Sequence, residues 1–113
     1  MGLALFKERR FTERRQLSGV LPGSLIRTDG KGAVSCRPVD VSAHGLGIVI
    51  IGEKKILPVG LELHLVVSDG EIALTVAWST PDFGKQDSVR YGLAVTDPAV
   101  NLEQVFEKYG CLK

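Results

Sequence analysis

The chain has 113 residues, 44 % hydrophobic and 24 % charged, with a formal net charge of +1. That suits one soluble domain around one core, and the near-neutral balance argues against a general polyanion binder. No apolar run approaches the roughly 20 residues of a membrane helix, so membrane insertion is not expected.

Met1-Gly2-Leu3-Ala4-Leu5-Phe6 lacks the basic leader of a signal peptide. Gly2 is followed by Phe6 where a myristoylation signal wants Ser or Thr, and Cys111-Leu112-Lys113 is one residue short of a prenylation box. Cys36 and Cys111 have no metal or redox spacing and read as free thiols of a reducing cytoplasm.

Residues 1–16 read as a flexible N-terminal arm, and residues 17–113 as the folded body. The arm is the most unusual stretch. From Lys7 to Arg15 it carries five positive and two negative charges, and four of the positive ones are Arg9, Arg10, Arg14 and Arg15. A charge run by itself is satisfied by a solvated surface. Arginine rather than lysine suggests more, because a planar guanidinium makes paired hydrogen bonds to phosphate or to a guanine edge and stacks on bases.

The body reads as strands. Leu17 to Arg27 is interrupted by Gly19, Pro22 and Gly23 and predicts a first strand, bent or bulged near Pro22. Thr28-Asp29-Gly30-Lys31-Gly32 is a turn, Ala33 to Val41 a second strand, and His44 to Ile51 a third and more buried one. Glu53 to Gly60 is a loop. Leu61 to Ser68 alternates, Asp69-Gly70 turns the chain, and Glu71 to Ser79 alternates again with Ile72, Leu74, Val76 and Trp78 on one face. This places Trp78 in the core. Pro81 to Asp87 is a polar loop, and Val89 to Val95 a sixth strand.

Asp97-Pro98 predicts a helix start, with Asp at the cap. Leu102, Val105, Phe106 and Tyr109 form one apolar stripe over about three turns, closed by Gly110. Such a helix needs the sheet to cover its stripe. The expected fold is therefore mainly β: a six-stranded antiparallel β-barrel with a C-terminal α-helix packed on it.

Between the second and third strands lies Asp40-Val41-Ser42-Ala43-His44-Gly45. Two readings stand. One is a plain Asx or Ser turn, with Gly45 in a backbone conformation other residues avoid. The other is a polar shelf, on which Asp40 accepts from the N1–H and N2–H₂ of guanine, Ser42 bonds phosphate or base, and Gly45 admits a ring close to the backbone.

The pair Arg10-Phe11-Thr12-Glu13-Arg14 (Arg-x-x-x-Arg) and Asp40-Val41-Ser42-Ala43-His44-Gly45 (Asp-x-Ser-x-x-Gly) resembles the two-part signature of the PilZ domain family. Arg90-Tyr91-Gly92-Leu93-Ala94-Val95 resembles its last barrel strand, so the likeness spans nearly the whole chain. It implies a six-stranded barrel with a C-terminal helix, and a bacterial, cytoplasmic receptor for the second messenger cyclic di-GMP. By that resemblance Arg10 and Arg14 grip phosphates and guanine edges, while Asp40, Ser42 and Gly45 hold a guanine from the barrel side. Arg9 matches a position associated with two stacked ligand molecules per domain. No cofactor is implied. Folding of the arm over the ligand would present a changed surface to a protein effector.

Other classes fit less well. His44 and His64 are the two histidines of the chain; His64 falls on an outward strand face, and His44 reads as an incidental turn residue. Cys36 falls inward with Val34. Catalytic carboxylate pairs, metal-ligand spacings and a phosphate loop are missing from the sequence, so an enzyme is not expected. A nucleic-acid polymer would call for exposed aromatics, and aromatics are 6 % of the chain. The competing reading is a protein-interaction module on the same fold without ligand binding.

Overall fold

The computed structural model describes residues 15–17, 19–30, 32–51, 56–82 and 88–112. Its elements are β1 (Arg15–Gln16), β2 (Ser24–Arg27), β3 (Arg37–Val41), β4 (Gly45–Ile51), β5 (Glu62–Val67), β6 (Gly70–Asp82), β7 (Ser88–Val95) and α1 (Leu102–Lys108). All neighbouring strands are antiparallel, in the order β1-β3-β4-β7-β6-β5-β2. The six expected strands are β2 to β7, and β1 adds a two-residue edge.

The sheet curls into a half-barrel because its two ends are joined through one stretch of chain. Val34 N donates to the Leu25 carbonyl at 2.7 Å and Arg27 N to Gly32 at 2.9 Å, with a further bridge between Ile26 and Ala33. Three residues later the same stretch enters β3 and pairs with β4. Residues 32–41 therefore touch β2 with one half and β4 with the other. This satisfies backbone groups that a short edge strand would leave open.

Period-two alternation puts Leu46, Ile48 and Ile50 of β4, Leu63 and Leu65 of β5, Ile72, Leu74 and Val76 of β6, and Val89, Tyr91 and Leu93 of β7 inside. One polar group enters this core with its partner: the Tyr91 hydroxyl accepts from the Leu57 amide at 2.9 Å. It ties the chain after β4 to the middle of β7.

Three expectations are corrected. Leu17 to Arg27 is not one bent strand. Arg15–Gln16 pairs with β3 and Ser24–Arg27 with β5, at opposite ends of the strand order, and the exposed stretch around Gly19 and Val20 separates them. Pro81 and Asp82 are the end of β6 rather than loop; the rest of that expected loop, 83–87, lies outside the described residues. The helix does not start at Asp97. Asp97 closes a turn, accepting from Ala99 N on its side chain and from Val100 N on its carbonyl. The true cap is Asn101, whose Oδ1 accepts from Gln104 N at 3.1 Å, so α1 has seven residues, about two turns rather than three.

The helix ends as expected at Gly110, at φ +70°. Cys111 N bonds the Phe106 carbonyl and Gly110 N that of Glu107, the pattern of a Schellman motif. Leu102 and Phe106 are fully buried against the sheet. At the far end of the helix Asp69, in the β5–β6 turn, holds Lys108 Nζ at 2.8 Å and the Tyr109 hydroxyl, which also meets Ser68 Oγ at 3.1 Å. The Lys108 and Tyr109 hydrogen bonds, in that order, pull the Asp69 carboxyl down to about 2. Asp69, Lys108 and Ser68 are exposed and Tyr109 is half-buried, so water screens the charges and the latch orients the helix end more than it stabilises the fold.

Two tests follow from these contacts. Tyr91→Phe leaves the buried Leu57 amide unpaired and should cost about 1–3 kcal/mol in urea unfolding. Asp69 is depressed in the folded state, so its contribution is present above its unfolded value near 3.8 and fades as pH falls toward about 2. Asp69→Asn should therefore melt slightly lower than wild type at pH 6, and the gap should close by pH 2.

Candidate functional site

The outward faces of β3, β4, β7 and β6 form one continuous surface. Register places Asp40 opposite Gly47, Gly47 opposite Gly92, and Gly92 opposite Trp78. These four residues make a row across four strands, with side chains at its two ends and bare backbone between.

Trp78 is here because β6 carries a bulge. Pairing with β7 shifts register between Val76 and Trp78, so Ala77 is the extra residue. Ile72, Leu74 and Val76 point inward, and beyond the bulge Trp78 and Thr80 point outward. Trp78 is 42 % exposed, which corrects its assignment to the core. Its indole lies across β7: a Cβ built on Gly92 would overlap Nε1 and Cε2 of the ring. Gly92 is thus the seat of the indole, which stays partly exposed.

Asp40 stands at the opposite end on β3, its side chain only 15 % exposed. Arg90 reaches it from β7, Nη2 lying 3.4 Å from Oδ2. Arg90 pairs with Val49 on β4, whereas Asp40 pairs with Gly47. Its side chain therefore crosses β4, over a stretch that Gly47 leaves without a side chain.

The turn after β3 is held from three sides. Ser42 N donates to the Gly45 carbonyl at 2.9 Å, Val95 N to His44 at 3.0 Å, and Leu102 N to Ala43 at 2.9 Å. Ser42 is buried, and His44 is exposed. Three successive carbonyls are so engaged, one of them by the first residue of α1. The turn is a rigid shelf anchored to strand and helix alike. Gly45 does not adopt the unusual backbone expected of it; the positive φ angles belong to Gly19, Gly30, Gly32, Gly60 and Gly110. What a glycine contributes at 45 is the lack of a side chain on the outward face of β4.

Asp40, Ser42 and Gly45 are thus brought together at one end of β3 and β4. Arg9, Arg10 and Arg14 lie outside the described residues. The nearest described neighbours of that arm are Arg15 and Gln16, which pair with Val41 and Asp40. The arm is accordingly attached beside the shelf.

Elsewhere the candidate chemistry is quiet. Burial pushes the Cys36 thiol up to about 11, and it also raises Cys111, so both are kept as thiols rather than nucleophilic thiolates. His64 bonds Glu62 at 2.9 Å and Glu71 at 3.3 Å on the outside of β5 and β6, and these bonds, Glu62's first, raise its pKa. Among the described residues no group of three or more His, Cys, Asp or Glu is arranged to hold a metal, and no helix is long and apolar enough to cross a membrane.

Sequence reasoning missed Trp78 and Arg90 as site residues. Only Gly92, two residues beyond Arg90 in the strand, hinted that something large lies on β7. No family model, no curated protein and no solved structure matches this chain.

The Gly92 seat is directly testable. Gly92→Ala should expel the indole into solvent, red-shifting Trp78 fluorescence and weakening its near-ultraviolet circular dichroism. Trp78 is the single tryptophan, so the signal is unambiguous. The ring can move outward, so stability should fall by no more than the lower end of the roughly 1–3 kcal/mol typical of overpacking.

Proposed function

We propose that this protein is a non-enzymatic receptor for cyclic di-GMP of the PilZ kind, which binds its ligand between an arginine arm and the outer face of the barrel. The observation that carries the reading is the row Asp40–Gly47–Gly92–Trp78 beside the clamped Ser42–Gly45 turn. It offers a carboxylate acceptor and a partly exposed aromatic ring on one surface, joined by a glycine strip that lets the Arg90 side chain and the indole lie close to the sheet. A guanine needs both: an acceptor for N1–H and N2–H₂, and a stacking partner.

The arm supplies what the barrel face lacks. The ligand carries two phosphates, and Arg10 and Arg14 of the Arg-x-x-x-Arg motif are suited to grip them. Ordering an arm costs about 1–2 kcal/mol per backbone residue, so several charge-assisted contacts must act together. Arg9 belongs to the same cluster and would take part if two stacked ligands bind. Closure of the arm over the shelf would change the surface next to β1 and β3, and a protein effector could read that change. In this reading the receptor is a bacterial, cytoplasmic protein.

Isothermal titration with cyclic di-GMP tests the assignment. Arg10→Ala and Arg14→Ala should each abolish measurable binding. Asp40→Ala should weaken it by about 1.5–3 kcal/mol through loss of charge-assisted bonds. The molar ratio decides between one ligand and two. Wild-type affinity in both arginine variants would remove the arm from the site, and no heat with wild-type protein would favour the interaction-module alternative.

A further inference from the structure

Building on the receptor reading, we propose that Arg90 is a specificity-determining residue. With Asp40 it forms a donor–acceptor pair that reads the guanine edge and rejects adenine.

The placement of Arg90 is fixed by its neighbours. Val89 and Tyr91 on either side are fully buried, so the backbone of β7 is pinned there and residue 90 must point outward. Its side chain is half exposed yet spans β4 to reach Asp40, with Nη2 3.4 Å from Oδ2. The contact is long for a charge-assisted bond, whose usual separation is about 2.7–2.9 Å. It is also made through one nitrogen of a group that carries five donors. Arg90 is therefore held near Asp40 while most of its hydrogen-bonding capacity faces outward.

The chemistry of the pair follows from what stands side by side. Along one edge guanine presents two donors, N2–H₂ and N1–H, and then the acceptor O6. N7, a second acceptor, lies around the corner. A carboxylate next to a guanidinium offers acceptors and then donors in the complementary order. Asp40 takes N1–H and N2–H₂, while Arg90 donates to O6, with N7 in reach of its second amine. Adenine has a donor, N6–H₂, where guanine has O6, so the guanidinium would face another donor across a partly buried surface. Asp40 alone cannot make this distinction well, because a carboxylate accepts from N6–H₂ of adenine as readily as from the guanine donors. Gly47 lets the Arg90 side chain cross β4 close to the sheet, and Trp78, seated on Gly92 of the neighbouring strand, gives the base a ring to stack on.

A base contact of this type discriminates by about 1–3 kcal/mol, or roughly 5- to 150-fold in affinity. The experiment is titration of wild type, Arg90→Gln and Arg90→Lys with cyclic di-GMP and with cyclic di-AMP, reading the ratio of the two affinities. Wild type should prefer the guanine ligand. Arg90→Gln should lower that preference 5- to 150-fold, and Arg90→Lys, keeping one donor for O6, should retain part of it. Residue 90 is outward, so unchanged melting curves should show that both variants fold.

If Arg90 merely steadied Asp40, both affinities would fall together and the ratio would hold; that result overturns the proposal and leaves the receptor reading intact. An unchanged Arg90→Gln does the same. Wild type that binds both ligands equally also overturns it. Wild type that binds neither ligand removes the receptor reading and this inference together.

Discussion

The pairing of β4 with β7 carries both sides of this molecule. Seven consecutive residue pairs, from Gly45 with Ala94 to Ile51 with Ser88, join them without a break. On the inner face this ladder sets Leu46, Ile48 and Ile50 against Val89, Tyr91 and Leu93, the middle of the core. On the outer face it sets Gly47 against Gly92, the two glycines between Asp40 and Trp78 over which the Arg90 side chain and the indole lie. Each strand must satisfy two demands at once, and strict alternation makes that possible: a one-residue slip would expose the core and bury the glycines. The site is thus the reverse side of the hydrophobic core and inherits its rigidity.

Helix and site are coupled through the turn at residues 42–45. The first amide of α1 bonds the Ala43 carbonyl, and the helix is buried through Leu102 and Phe106. The other end of the helix is held to the β5–β6 turn by Asp69, Lys108 and Tyr109. A short helix is marginal by itself; here it is fixed at both ends, and in return it fixes the turn.

The elements legible from sequence were those governed by short-range rules. Leu63 and Leu65, Ile72 and Leu74, and the Asp69-Gly70 turn follow from alternation and turn chemistry and lie where expected. Gly110 closes the helix because a left-handed residue is needed there. Asp40, Ser42 and Gly45 were recognisable as a group because they are close in sequence as well as in space. Asp97-Pro98 misled: Asp serves a turn as readily as a helix cap, and Asn101, four residues on, has an equally good side chain for the cap. The long strand expected from Leu17 to Arg27 failed because its two halves find partners at different sheet edges, a choice made by distant residues.

By itself, then, the sequence determined the strand-rich class, the inward residues, the closing helix and the polar turn, because each depends on residues a few positions apart. Tertiary structure alone decided that Trp78 faces outward and that Arg90 meets Asp40. The first depends on a bulge at Ala77, where the pairing of β6 with β7 shifts register, and it has no signal in the local pattern. The second joins residues 50 positions apart. It exists only because β3 and β7 flank the same strand and Gly47 leaves the space between them open.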